Sequence, residues 1–273
     1  MGVVEASHLR AMPYLRAAVF VLAMVAALLI AAPVQALARR RGWAMQHAIP
    51  KAFCRLMCGV IGIEVTPAGA LPAHRPRFVV ANHLSWTDII ALASLHPFVF
   101  LAKKEVAHWP VLGLLAQLQG TVFVARGARQ EIPGVNGALV TALRDKRDLV
   151  IFAEGTSTDG ATPPRFKSAH FDAACATGAM VAPVALYYTD GQAPIDVGWY
   201  GAMTFLPHLW RLMKRGGVRC HVVFGRGIEA RGKDRKALAA EAQAQVSGML
   251  PPQMRGARGR APVRRLETAS TEF

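Results

Sequence analysis

From Ile63 to Phe224 the chain alternates short apolar runs with helical patterns, and this alternation is the strongest constraint on its fold. Strand-like runs are Ile63-Glu64-Val65, Phe78 to Ala81, Phe98 to Leu101, Thr121 to Val124, Leu149 to Ala153, Val181 to Tyr187 and Val218 to Phe224. Helical patterns occupy Thr87 to Leu95, Val111 to Gln119, Gly137 to Arg144, Ser168 to Thr177 and Phe205 to Lys214. Such alternation predicts an α/β fold, a mixed and largely parallel sheet flanked by helices. At 273 residues the chain holds one domain of this kind and an appendage. Within Val181-Ala182-Pro183-Val184 the proline suits only an edge strand or a strand start. Lys233 to Leu250 reads as a terminal amphipathic helix.

The appendage precedes the domain. Tyr14 to Ala38 is dominated by an apolar run, Ala17 to Ala32, a little short of the roughly 20 residues that a helix needs to cross a bilayer. The small residues of Ala32-Pro33-Val34-Gln35-Ala36 also permit a signal-peptide reading. Arg39-Arg40-Arg41 follows directly, which disfavours export and argues that this flank stays cytoplasmic. The expectation is an uncleaved membrane helix, spanning or dipping into the inner leaflet, with the domain on the cytoplasmic side. From Trp43 to Ile61 a second helix places Trp43, Ala44, His47, Ala48, Ala52, Leu56 and Val60 on one side, which suits either the membrane interface or plain core packing. The organisation is then 1–61 membrane and interfacial helices, 62–250 domain, and 251–273 a basic disordered tail rich in Pro, Arg and Gly.

Lys and Arg number 32 against 17 Asp and Glu, a formal charge of +15. An excess of this size attracts polyanions. No zinc-finger spacing, RNP-like strand or helix-turn-helix appears, so nucleic acid is not expected and anionic membrane lipid is the better partner. The four cysteines form no CxxC pair, which points to reduced, packed thiols and to no metal site.

In open α/β sheets working residues gather at the carboxyl ends of strands. The run Phe78 to Ala81 stops at Asn82-His83, and Thr87-Asp88 opens the next helix, with Ser85 or Thr87 placed to cap it. Asp88 can accept from one imidazole nitrogen of His83 and leave the other free as a base. One His beside one Asp is by itself an ordinary structural hydrogen bond, so partners matter. Thr121 to Val124 leads into Ala125-Arg126-Gly127, where a guanidinium can fork onto a phosphate. Leu149 to Ala153 leads into Glu154-Gly155-Thr156-Ser157, whose backbone and hydroxyl donors suit an anion. Their order after successive strands lifts the signal above that of any one residue.

Taken together, these blocks resemble the glycerolipid acyltransferases of the 1-acyl-glycerol-3-phosphate type. His83 and Asp88 match the HxxxxD signature; Gly120 to Arg126, Phe152-Ala153-Glu154-Gly155-Thr156-Ser157 and Val181-Ala182-Pro183-Val184 resemble the second, third and fourth blocks. The resemblance covers Phe78 to Leu186 and implies a glycerol-3-phosphate acyltransferase-like fold. It also implies acyl transfer from acyl-CoA or acyl-carrier protein, as co-substrate and with no cofactor, to the hydroxyl of a lysolipid. His83 would be the general base oriented by Asp88, and Asn82, Arg126, Glu154, Gly155 and Thr156 would bind the acceptor. Pro183 would shape the acyl-donor side.

Two departures bear on the acceptor. Ala153 replaces the usual proline, and Ser157 stands where many lysophosphatidate enzymes carry a second arginine. The strings Glu154 to Gly160, Phe166-Lys167-Ser168 and Trp199 to His208 resemble the lyso-ornithine lipid branch. Because Arg126 remains, lysophosphatidate ranks first and lyso-ornithine lipid second. Two other readings stay open: a serine hydrolase using Ser85 or Ser157, which lacks a G-x-S-x-G elbow, and a non-catalytic lipid-binding protein.

Overall fold

The computed structural model describes residues 2–124, 132–161, 164–255 and 264–265. Strand β2 (Arg77–Ala81) lies near the centre of the main sheet, between β5 (Leu149–Phe152) and β6 (Met180–Thr189). Beyond β5 come β3 (Val99–Lys103) and β4 (Val122–Val124); beyond β6 come β8 (Val218–Phe224) and β1 (Ile63–Ala68), while β9 (Ile228–Glu229) also pairs with β6. Every pairing in this sheet is parallel except those of β6 with β8 and β9. The mixed, largely parallel sheet expected from the alternation is present.

The strand period of two divides the core. Val79 and Ala81 join a cluster with Cys58, Leu92 and Leu212, from helices α3 (Met45–Ile61), α4 (Thr87–Leu95) and α8 (Phe205–Arg215). Phe78 and Val80 point the other way, to Leu139, Phe171 and Leu238 of α6 (Ile132–Arg144), α7 (Phe171–Thr177) and α9 (Arg235–Met249). Covering both faces makes every residue of β2 from Phe78 to Ala81 fully buried, each large side chain contributing about 1.5–3 kcal/mol.

Pro183 is not at an edge or a strand start. It sits inside β6, opposite Val80 on one side. On its other side the neighbour changes from β8, ending at Phe224, to β9, starting at Ile228, and Gly225 N–H donates to Pro183 O at 2.8 Å. Its absent N–H therefore faces a break in the ladder, which is why a central strand tolerates it.

The N-terminal helix is longer than its apolar run. Helix α1 (Gly2–Ala26), a π turn (Ala27–Ala31) and α2 (Ala32–Arg41) are continuous. The wide turn lies just where the Pro33 ring would strike the carbonyl of Leu29. Met12–Arg41 is long and apolar enough to cross a bilayer. Both of its ends, however, are tied to the same domain. Tyr14 packs on Trp210, and Arg16 donates to Met213 O at 2.9 Å, while Arg39 donates to Gln117 O and Leu118 O of α5 (Leu112–Gln119) at 2.9 and 2.8 Å. Arg16 and Arg39 are about 35 Å apart along a helix, so this helix runs along the domain and turns Leu15, Leu22, Leu29, Ile30 and Leu37 outward.

Helix α3 has two apolar sides. Cys54, Met57, Cys58 and Ile61 are buried, whereas Trp43 just before it and Leu56 on it are 43% and 50% exposed. Core packing and an outward apolar face thus coexist on one helix. At the other end, the tail does not loosen at Pro251: Pro252–Met254 form a 3-10 turn and Met254 is buried, because Leu250 and Met254 supply apolar anchors. Arg264–Arg265 (β10) pair with Ile195–Asp196 (β7); residues 256–263 and 266–273 lie outside the described residues.

Candidate active site

Parallel register builds the site. Ala81 pairs with Phe152, so two residues further on His83 and Glu154 emerge side by side, and His83 N–H donates to Glu154 Oε1 at 2.7 Å. The imidazole stacks on Phe152, centroids 3.9 Å apart. Its Nδ1 meets Asp88 Oδ2 at 2.9 Å. Asp88 is fully buried and the His83 side chain 19% exposed.

Asp88 is held on every side. Its Oδ2 also accepts from Leu84 N and Ser85 N, at 2.7 and 2.9 Å, and Oδ1 accepts from Tyr188 Oη–H at 2.6 Å. Helix α4 therefore has no side-chain cap at its Trp86 N-cap: Thr87 Oγ1 bonds the Tyr188 hydroxyl, and Ser85 Oγ reaches Thr87 N only at 3.4 Å. Ser85 supplies the expected cap only through that one long bond, and Asp88 reaches back to the preceding loop beside it. A carboxylate with four donors holds Nδ1 as N–H and leaves the lone pair on Nε2.

Burial pushes the Glu154 carboxyl up to about 7, the nearby Asp88 charge adds to this, and its hydrogen bonds from His83 N–H and Thr158 oppose it. Gly155 turns the chain at φ +78°, with the Lys167 ammonium close to where a Cβ would stand. Ser157 Oγ–H donates to Trp199 O at 2.5 Å, and Trp199 N–H donates to Leu84 O at 2.9 Å, so segment 195–200 straps the loop carrying His83 to the loop carrying Glu154. His208 fixes this strap, bonding Val197 O and Gly198 O at 3.1 Å and accepting from Trp86 Nε1–H at 3.1 Å; burial lowers its imidazole to about 4.

A family model described as Acyltransferase matches residues 62–187. The chain is 35% identical over 248 residues to a lyso-ornithine lipid O-acyltransferase of Brucella abortus, covering 84% of this chain and 92% of that one. The chain belongs to this acyltransferase family. It is also 37% identical over 166 residues to a 1-acyl-sn-glycerol-3-phosphate acyltransferase of Neisseria meningitidis, covering 60% of this chain and 64% of that one. The crystal structure of PlsC, the 1-acyl-sn-glycerophosphate acyltransferase of Thermotoga maritima, shares the fold, with a TM-score of 0.57 at 18% identity over 87% of this chain and 98% of that one.

Of the residues expected to serve this acyltransferase, His83, Asp88, Glu154 and Gly155 come together at the ends of β2 and β5. Thr156 is exposed beside them. Asn82 corrects its expectation: its Nδ2 donates to Leu186 O at 2.9 Å and its Oδ1 accepts from Leu186 N at 2.8 Å, with 2% of the residue exposed. Its amide is spent extending the β2–β6 ladder, which places the next residue, His83. Arg126 lies outside the described residues, two positions past the end of β4. Tyr188 joins the cluster without belonging to a sequence block read for chemistry, and Lys167, from the Phe166-Lys167-Ser168 string, comes beside Gly155. The period of β6, which sends Val184, Leu186 and Tyr188 to the same face as Ala81, was the available signal for Tyr188.

Proposed function

We propose that this acyltransferase moves a fatty acyl group from an acyl thioester, acyl-CoA or acyl-carrier protein, to the hydroxyl of lyso-ornithine lipid. His83 Nε2 takes the proton of the acceptor hydroxyl as its oxygen attacks the thioester carbonyl. Asp88 fixes the tautomer and favours the imidazolium that forms. The tetrahedral intermediate then expels the thiolate, which recovers the proton from His83, so an ester and a free thiol leave and no acyl-enzyme forms. Glu154, Gly155, Thr156 and, at its position past β4, Arg126 are the acceptor-binding group.

The observation carrying the acceptor choice is Ser157. Its hydroxyl is committed to Trp199 O, so the position where a second arginine would meet a phosphate monoester instead ties the site to the strap. Similarity over 92% of the lyso-ornithine enzyme, against 64% of the lysophosphatidate one, supports the same order. This reverses the ranking read from Arg126 alone. An ornithine headgroup carries a carboxylate and an amine, and Lys167 beside Gly155 suits the carboxylate. Lysophosphatidate is the second reading, favoured by the same cation.

The helix tied at Arg16 and Arg39 supports a monotopic anchor, lying in one leaflet with its outward leucines among the acyl chains. The basic flank Arg39–Arg41 supports a leaflet on the cytoplasmic side. The test offers purified full-length protein a labelled acyl donor with each acceptor and reads products by mass spectrometry. Turnover of lyso-ornithine lipid at least tenfold above lysophosphatidate is expected; the opposite ratio overturns the choice.

A further inference from the structure

At the amino ends of the strands, roughly 17 Å from His83 for a five-residue strand, lies a cavity of 420 Å³. Asp148 on its wall is fully buried and engages Arg75, Arg77 and His96 at 2.7–2.8 Å. Among the described lining residues, the cations Arg39, Lys51, Lys146 and Arg147 then face Asp145. Arg39 and Arg147 converge on the carboxyl end of α5, donating to Leu118 O and Gly120 O. Each guanidinium carries five N–H donors, and these bonds use only some of them. The surplus positive charge lowers the His47 imidazole, after burial, through Arg147, Arg75, His96 and Arg39. The chemistry suited to this wall is a phosphate.

A second cavity, of 210 Å³, shares Gln35, Pro50, Leu118 and Gln119 with the first. Phe20, Met24, Phe53, Ile90 and Leu115 make it apolar, between the N-terminal helix and α3, α4 and α5. Gln35 stands at the junction, 3% exposed. Its Nε2 donates to Gln46 O and Leu118 O, while its Oε1 is buried without a partner. Buried acceptors are seldom left so, and a hydroxyl of a glycerol headgroup folded back beside the phosphate would satisfy this one.

We propose that the two cavities form one site for an anionic glycerophospholipid, its phosphate on Arg39, His47, Lys51 and Arg147, a hydroxyl at Gln35 and one acyl chain in the apolar half. A lipid is favoured over a free anion because the hydrocarbon cavity adjoins the cationic one. The lining of the cationic cavity also takes in Arg39 and Gln46, on either side in the chain of Arg40, Arg41 and Trp43, residues suited to headgroup depth. Such a lipid wedges α2 against α3 and α5 and fixes the helix on the domain. Its phosphate end, at the amino ends of the strands, is separate from the acceptor-binding residues, and its binding does not depend on which lysolipid reacts.

Delipidated full-length protein in non-ionic detergent micelles is titrated with brominated phosphatidylglycerol or brominated phosphatidylcholine. Trp86 and Trp109, which line the apolar cavity, report by fluorescence quenching. The half-point for phosphatidylglycerol is expected at least tenfold below that for phosphatidylcholine. Lys51→Glu and, separately, His47→Glu are expected to erase this preference while circular dichroism stays unchanged. Equal half-points in the wild type, or a preference surviving both variants, overturns the site. Thermal stabilisation by inorganic phosphate equal to that by phosphatidylglycerol assigns the pocket to a free anion and overturns the lipid.

Discussion

Replacing Glu154 with glutamine removes a titration and keeps a hydrogen bond, since the new side-chain oxygen still accepts from His83 N–H. In the folded chain the Glu154 carboxyl is pushed from 4.5 up to about 7, chiefly by burial. The folded state then holds the proton more tightly than the unfolded chain. The stability this contributes is fully present below pH 4.5 and is lost as pH rises through about 7. Above that pH, ionising the carboxyl in place opposes folding by about 3 kcal/mol, at about 1.4 kcal/mol per pH unit. Chemical denaturation followed by tryptophan fluorescence, from pH 4 to pH 8.5, measures the difference between wild type and Glu154→Gln. The variant should gain on the wild type steadily as pH rises, by about 3 kcal/mol across the range. A difference that stays flat with pH, or that moves the other way, refutes the claim that burial governs this carboxyl.

Asp88→Asn turns an all-acceptor group into one that can donate to Nδ1 and reverse the tautomer; kcat should fall on the order of 10³-fold with acceptor KM little changed, read by steady-state kinetics. Tyr188→Phe strips the bond to Asp88 Oδ1 at a fully buried position, which should cost about 1–3 kcal/mol in denaturant unfolding and also shift the kcat–pH profile, as loss of packing alone would not. Asn82→Ala leaves Leu186 N–H and C=O unpaired inside the sheet; about 3 kcal/mol of stability should go with them, and kcat should drop because His83 loses its fixed backbone.

The architecture was legible because apolar strand runs and their turns are local signals, and α4 falls on Thr87–Leu95 as its pattern predicts. The dyad was legible for the same reason: His83 and Asp88 are five residues apart, and one turn joins them. What escaped depends on which strands become neighbours. Asn82 finds Leu186 and Asp88 finds Tyr188 across about a hundred residues of chain, and no local pattern states that β6 lies beside β2. Pro183 misled because propensity speaks of ladders in general, whereas here the ladder breaks at Gly225. The N-terminal run read as a spanning or dipping helix from composition alone. Its course along the domain rests on Arg16 and Arg39, whose carbonyl partners lie 197 and 79 residues away.

The general-base role of His83 is the central claim, and His83→Gln tests it most directly. Acyl transfer to the preferred lysolipid, assayed with labelled thioester and purified full-length protein, should fall on the order of 10³-fold or more. Circular dichroism and membrane flotation should match the wild type, and no labelled protein should accumulate. Transfer within about tenfold of wild type, or a covalently acylated chain trapped on acid quench, would contradict the account.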